Sequence, residues 1–138
     1  MKKIIMLLAM AGLAVQLQAQ EVHKKDVPSA VSTSFSSAYA SAKDVDWKMD
    51  GGNYVAKFEM NDRDMFATYD ASGKLIESKV ELEKKELPAP ILNYVKTTYK
   101  EDEVRDLYKV TDANGTVTYK GKVKGKMLVF DANGNIMN

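Results

Sequence analysis

The sequence predicts an α+β fold: a tandem repeat of one helix packed on a four-stranded antiparallel sheet, with the two sheets side by side. Three observations predict it. Val27-Pro28 and Leu87-Pro88 each open a helical apolar pattern, which ends at Tyr39 in one case and Tyr99 in the other. Runs of alternating apolar and polar residues follow each helix, the period of strands with one covered face. Tyr69-Asp70-Ala71-Ser72-Gly73 then meets Phe130-Asp131-Ala132-Asn133-Gly134, so the copies lie 60 residues apart at the front and 61 at the back. Self-similarity at a fixed offset is the mark of a repeated unit.

The first 19 residues read as a signal peptide. Lys2 and Lys3 give a positive start, and Ile4 to Val15 is an apolar run too short to span a bilayer core of about 30 Å. Gln16 to Ala19 is a polar exit, with cleavage placed after Ala19 and the mature chain in the periplasm or secreted. Residues 20–26 read as a flexible lead-in, 27–83 as the first repeat and 84–138 as the second. Cleavage leaves 18 basic against 19 acidic side chains. That balance creates no field to draw in nucleic acid or an anionic membrane, and the mature chain has no transmembrane segment. The absence of cysteine removes disulfides, cysteine–zinc sites and thiol chemistry.

Within each copy a proline stands at the first helical position, where its missing N–H is an orphan anyway. Val31, Phe35, Ala38 and Tyr39 share one helical face, as do Ile91, Val95, Thr98 and Tyr99. The first helix is rich in serine, a poor helix former, so it depends on packing. Val45, Trp47 and Met49 share a strand parity, followed by Tyr54, Ala56, Phe58 and Met60. In copy two Val117, Tyr119, Gly121 and Val123 alternate with Thr118 and lysines. Strand three, Met65 to Tyr69 and Met127 to Phe130, is apolar on both parities. Strand four runs from Lys74 to about Glu83 in copy one, and over only Asn135 to Met137 in copy two. Lys84-Lys85-Glu86 is a polar link too short to let the copies move freely.

Asp70-Ala71-Ser72-Gly73, Asp112-Ala113-Asn114-Gly115 and Asp131-Ala132-Asn133-Gly134 fit hairpin turns, with Asp accepting from the backbone and Gly at positive φ. A calcium loop needs more ligands and a distant bidentate Glu. The run Lys120, Lys122, Lys124 and Lys126 reads as a solvated strand face that discourages edge pairing, or as a contact for an anionic partner. The lone histidine, His23, cannot build a three-histidine metal site, and no Ser-His-Asp triad is suggested. Asp62 and Asp64 flank Arg63 on a hairpin tip, where carboxylates are solvated. The sequence therefore predicts no enzyme, no cofactor and no metal site.

Val27-Pro28 with the helix to Tyr39, Asp44-Val45-Asp46-Trp47, the Tyr54–Met60 strand and the Tyr69-Asp70-x-x-Gly73 turn resemble the PepSY-like, beta-lactamase-inhibitor-like secreted proteins of Gram-negative bacteria. Leu87-Pro88, Tyr99, Tyr119 and Phe130-Asp131-x-x-Gly134 repeat the pattern. Copy two departs in carrying Leu107-Tyr108 where copy one has Trp47, and in a longer first hairpin loop. The resemblance covers about residues 26 to 138. It implies a fold like that of the beta-lactamase inhibitor protein, one concave sheet backed by helices, in the periplasm or outside the cell. It does not imply that this chain inhibits a beta-lactamase.

The function that follows is a non-catalytic binding module that uses the open face of its sheet. Lys57, Glu59, Phe66, Thr68, Lys120, Lys122, Leu128 and Phe130 are the expected face, and another envelope or secreted protein is the expected partner. The alternatives are a small-molecule or envelope-component binder with a cleft between repeats, and a structural envelope assembly factor.

Overall fold

The computed structural model of the chain describes residues 20–100 and 103–137. The signal-peptide reading of residues 1–19 lies outside them. The elements are β1 (Gln20–Val22), α1 (Ser29–Ala38), β2 (Lys43–Asp50), β3 (Asn53–Met60), β4 (Arg63–Tyr69), β5 (Leu75–Glu81), α2 (Ala89–Tyr99), β6 (Val104–Asp112), β7 (Val117–Val123) and β8 (Lys126–Asp131). All eight strands form one antiparallel sheet in chain order, β1 through β8. Neighbours in sequence are neighbours in space, the commonest way to connect strands.

Two expectations change here. The chain builds one continuous sheet, as the resemblance implied, rather than the two side by side read from the repeat, because β5 pairs with β6 from Glu77↔Asp112 to Glu81↔Tyr108. Among the described residues four strands follow α1, but only three follow α2. The expected fourth strand of copy two is reduced to a single bridge, Phe130↔Ile136, with the Met137 N–H donating to the Val129 carbonyl at 2.8 Å.

Residues 20–26 also differ from the expected flexible lead-in. Gln20–Val22 pairs with β2 through Gln20↔Met49, Glu21↔Lys48 and Val22↔Trp47. Lys24–Asp26 forms a single 3-10 turn, and Lys84–Glu86, read as a link, forms another. The two stretches correspond at an offset of 60: Glu21 pairs with Lys48, and Glu81 pairs with Tyr108. β5 thus serves twice. It is the last strand after α1, and its end meets β6 as β1 meets β2.

Pro28 and Pro88 stand one residue earlier than expected, as the caps before α1 and α2. The Pro28 carbonyl accepts from the N–H groups of Val31 and Ser32, and the Pro88 carbonyl from that of Leu92, each at 3.0 Å. Proline still fits, since it gives up no donor that the helix could use. Val31, Phe35, Ile91 and Val95 are buried as the spacing predicts, while Ala38 and Thr98 face solvent. Burial follows the same order, residue for residue, over 31–40 and 91–100.

The helices cover one face of the sheet. Val31 and Phe35 meet Trp47, Ala56, Phe58, Met65, Ala67 and Tyr69, and the Phe35 ring lies 5.2 Å from Trp47 and 5.0 Å from Phe58. Ile91 and Val95 meet Leu107, Val123, Leu128 and Phe130. Burying such side chains contributes roughly 1.5–3 kcal/mol each, which offsets the weak intrinsic propensity of serine-rich α1. The Asp-x-x-Gly turns that end at Gly73 and Gly134 lock against the helices. A Cβ on Gly73 would lie 2.6 Å from the Ala30 carbonyl oxygen, and one on Gly134 would lie 2.5 Å from Pro90 Cβ.

Candidate functional site: the helix-free face

Strand parity decides which side chains the sheet leaves uncovered. Met65, Ala67 and Tyr69 of β4 point at the helices, so Phe66 and Thr68 point away. Across the ladder Phe66 lies beside Lys57 of β3 and Lys79 of β5, and Thr68 beside Val55 and Glu77. Lys79 opposes Val110, and Glu81 opposes Tyr108. Tyr108 opposes Lys120, and the Lys122 position follows on the same parity. Lys57, Glu59, Phe66, Thr68, Lys120 and Lys122 therefore share the helix-free face.

Leu128 and Phe130 do not share that face. They are 1% and 3% exposed and pack under α2, with the Phe130 ring 5.4 Å from Tyr94. The residues of β8 on the helix-free parity are Met127 and Val129, which oppose Lys122 and Lys120. β8 is apolar on both parities, so its own composition could not choose. The correspondence of Phe130 with Tyr69, a covered residue, held the signal.

The centre of the face is an aromatic pair. Phe66 and Tyr108 meet edge to face with ring centroids 5.8 Å apart, reaching across β5. The ammonium groups of Lys57 and Lys79 lie 5.9 and 5.1 Å from the Phe66 centroid, within the range of cation–π attraction. Beside them Val110 is only 4% exposed, although it belongs to neither helix-covered cluster. Burial pushes the Tyr108 hydroxyl pKa up, and the carboxylates of Glu81, Asp106 and Asp64 add to the rise. Sequence reading missed Lys79, Tyr108 and Val110. The alternation of Tyr108 with buried Leu107 was the available clue.

The arrangement offers an apolar, aromatic centre ringed by both signs of charge. Lys122 answers Asp106 at 3.7 Å, so part of the lysine run is balanced by its own sheet. Among the described residues no group of three or more His, Cys, Asp or Glu side chains is placed to hold a metal ion. The Asp-x-x-Gly carboxylates are occupied by their own turns. Asp70 Oδ1 accepts from the Ser72 hydroxyl and from the N–H groups of Ser72 and Lys74. Asp112 Oδ1 accepts from Asn114 and Thr116, and Asp131 Oδ1 from Asn133 and Asn135. These bonds hold the Asp70 and Asp131 carboxyls below the usual range. The Ser72 hydroxyl leads at Asp70, and the Asn135 N–H leads at Asp131. Among the described residues no helix is long and apolar enough to cross a membrane.

A bare antiparallel face backed by two helices defines a sheet-based α+β protein. The family model described as "Putative beta-lactamase-inhibitor-like, PepSY-like" matches residues 13–77 and again 52–138, and the chain belongs to that family. A "putative periplasmic" protein from Bacteroides eggerthii is 20% identical, with 81% of this chain and 86% of that one covered and a TM-score of 0.75. A BLIP-like protein from Bacteroides fragilis is 23% identical, with 80% and 84% covered and a TM-score of 0.69. At these identities the likeness is one of fold. No curated protein matches the chain.

Proposed function

We propose that this chain is a non-catalytic binding protein of the bacterial envelope, built by duplication of one helix-and-sheet unit, that holds a partner protein against its helix-free face. The observation that carries the reading is the Phe66–Tyr108 pair. Two aromatic side chains from β4 and β6 stand together on an uncovered sheet, with Lys57, Lys79, Glu81 and Lys120 around them. Aromatic anchors inside a polar rim are the arrangement that concentrates interface energy. Duplication is supported by the matched burial of 31–40 and 91–100 and by the paired seats of Gly73 on Ala30 and Gly134 on Pro90. A periplasmic location is supported by the leader-like start and by the description of the Bacteroides eggerthii neighbour. The inhibitor-like family description agrees with a role in binding.

The test is capture of partners from periplasmic extract by the mature protein and by Phe66→Ala and Tyr108→Ala variants that melt like the parent. The expected result is a stoichiometric partner that both variants lose. Equal capture by all three proteins overturns the reading.

A further inference from the structure

The two helices differ along one flank. At the places where α2 carries Leu92 and Lys96, α1 carries Ser32 and Ser36. The paired positions have the same degree of burial, and Leu92 packs onto the core beneath α2. The shorter serines leave a hollow of about 590 Å³ between α1 and β2, within the range of small-molecule sites, roughly 300–1,000 Å³. Its floor is Phe35, Val45 and Trp47, with Tyr39 at one side. Among the described residues Lys24, from the 3-10 turn before α1, is the one charged side chain in its lining, which includes no carboxylate. Serine is a costly choice inside a helix, and places where a sequence breaks a local rule are where function is expected.

We propose that this hollow binds an amphipathic monocarboxylate, a medium-chain or aromatic acid. The apolar body lies on Val45 and the aromatic floor. The carboxylate meets the Lys24 ammonium and the hydroxyls of Ser32 and Ser36, which donate to it. Charge selects the class: a cation at the mouth of an apolar, carboxylate-free floor favours an anionic head over a neutral or cationic one. The site is separate from the helix-free face and does not depend on it.

Trp47 is the single tryptophan of the chain and lines this hollow, so its emission responds to an occupant there, while the position 24, 32 and 36 variants separate this hollow from the adjoining groove that Trp47 also lines. Titration of the mature protein with octanoate, below its micelle concentration, is expected to give a saturable change in Trp47 emission, and 1-octanol a weaker one. Lys24→Ala should weaken octanoate binding about tenfold, the worth of one charge-assisted contact, and leave 1-octanol unchanged. The double variant Ser32→Leu with Ser36→Lys gives α1 the residues α2 already carries, and should abolish the response while the melting temperature holds. Should that variant unfold, Lys24→Glu, which adds no volume to the helix, carries the same test. Absence of a saturable response, equal affinity in the folded double variant, or indifference to the charge at position 24 overturns the proposal.

Discussion

Arg63 and Glu86 join the tip of the β3–β4 hairpin to the turn that leads into α2, with Arg63 Nη1 2.7 Å from Glu86 Oε2. The same guanidinium nitrogen donates to the Glu81 carbonyl at 3.3 Å, and Glu86 Oε1 accepts from the Glu83 N–H at 3.1 Å. Arg63 thus ties the hairpin tip to the passage between the halves through two contacts.

Acid should loosen this tie. The Arg63 guanidinium first, then the Glu83 N–H, hold the Glu86 carboxyl below its ordinary range. A carboxyl depressed in the folded state contributes stability above its unfolded pKa and loses it as pH falls through the folded value. Melting temperature against pH should therefore fall more steeply on the acid side for the parent than for Glu86→Gln. Identical acid limbs would deny the contact a role in stability.

Alkali should act through a different residue. Tyr69 is 1% exposed, and among the described residues its hydroxyl has no hydrogen-bond partner. Burial, with some repulsion from nearby Tyr39, pushes its pKa up to about 12. The fold favours the neutral phenol, so this contribution is intact below the usual tyrosine range near 10 and is lost as pH rises toward 12. Tyr69→Phe removes an unsatisfied hydroxyl at little cost in packing. It should melt at or above the parent temperature at neutral pH and lose less stability in alkali.

The two faces of the sheet should respond differently to truncation. Leu128→Ala, under α2, should cost about 2–5 kcal/mol in chemical denaturation, as buried leucines do. Phe66→Ala, on the helix-free face, should cost under about 1.5 kcal/mol. Equal costs would mean that something other than solvent covers Phe66.

The turn glycines offer a matched comparison. Gly73 and Gly115 both sit at positive φ, 88° and 81°, but a Cβ at Gly115 meets nothing within 4 Å. Gly115→Ala should therefore show backbone strain alone, about 1–3 kcal/mol. Gly73→Ala must also push the turn off α1 at Ala30, and should lose about 1–3 kcal/mol more, an overpacking cost. A smaller loss at Gly73 would mean that the turn moves freely.

Much of this fold was legible before any coordinates. Val31 and Phe35, with Ile91 and Val95, announced the covered helical faces by spacing alone, and Ala56 and Phe58 did so by parity. The turns were legible because Asp and Gly have local reasons to be there. The pairing of β5 with β6 was not, since a strand shows its neighbours no signature beyond its own parity. Residues 20–26 looked loose because three strand residues carry little pattern. The face of β8 was lost for a related reason: a strand apolar on both sides takes its orientation from the partner and the hairpin turn, here Lys124-Gly125, both at positive φ. On the helix-free face Phe66 was visible, but Tyr108 and Lys79 gained meaning only when their strands became neighbours. The hollow beside α1 was announced only by its serines, which in isolation read as weak helix formers.

Because β5 is shared, neither half is a module that can be lifted out. Cut after Glu83, the later fragment would start at the turn before α2 with nothing hydrogen-bonded along the outer side of β6. That exposed ladder would recruit whatever extended chain it met, another fragment first of all, so dissection of this protein would yield aggregates in place of two smaller folded units.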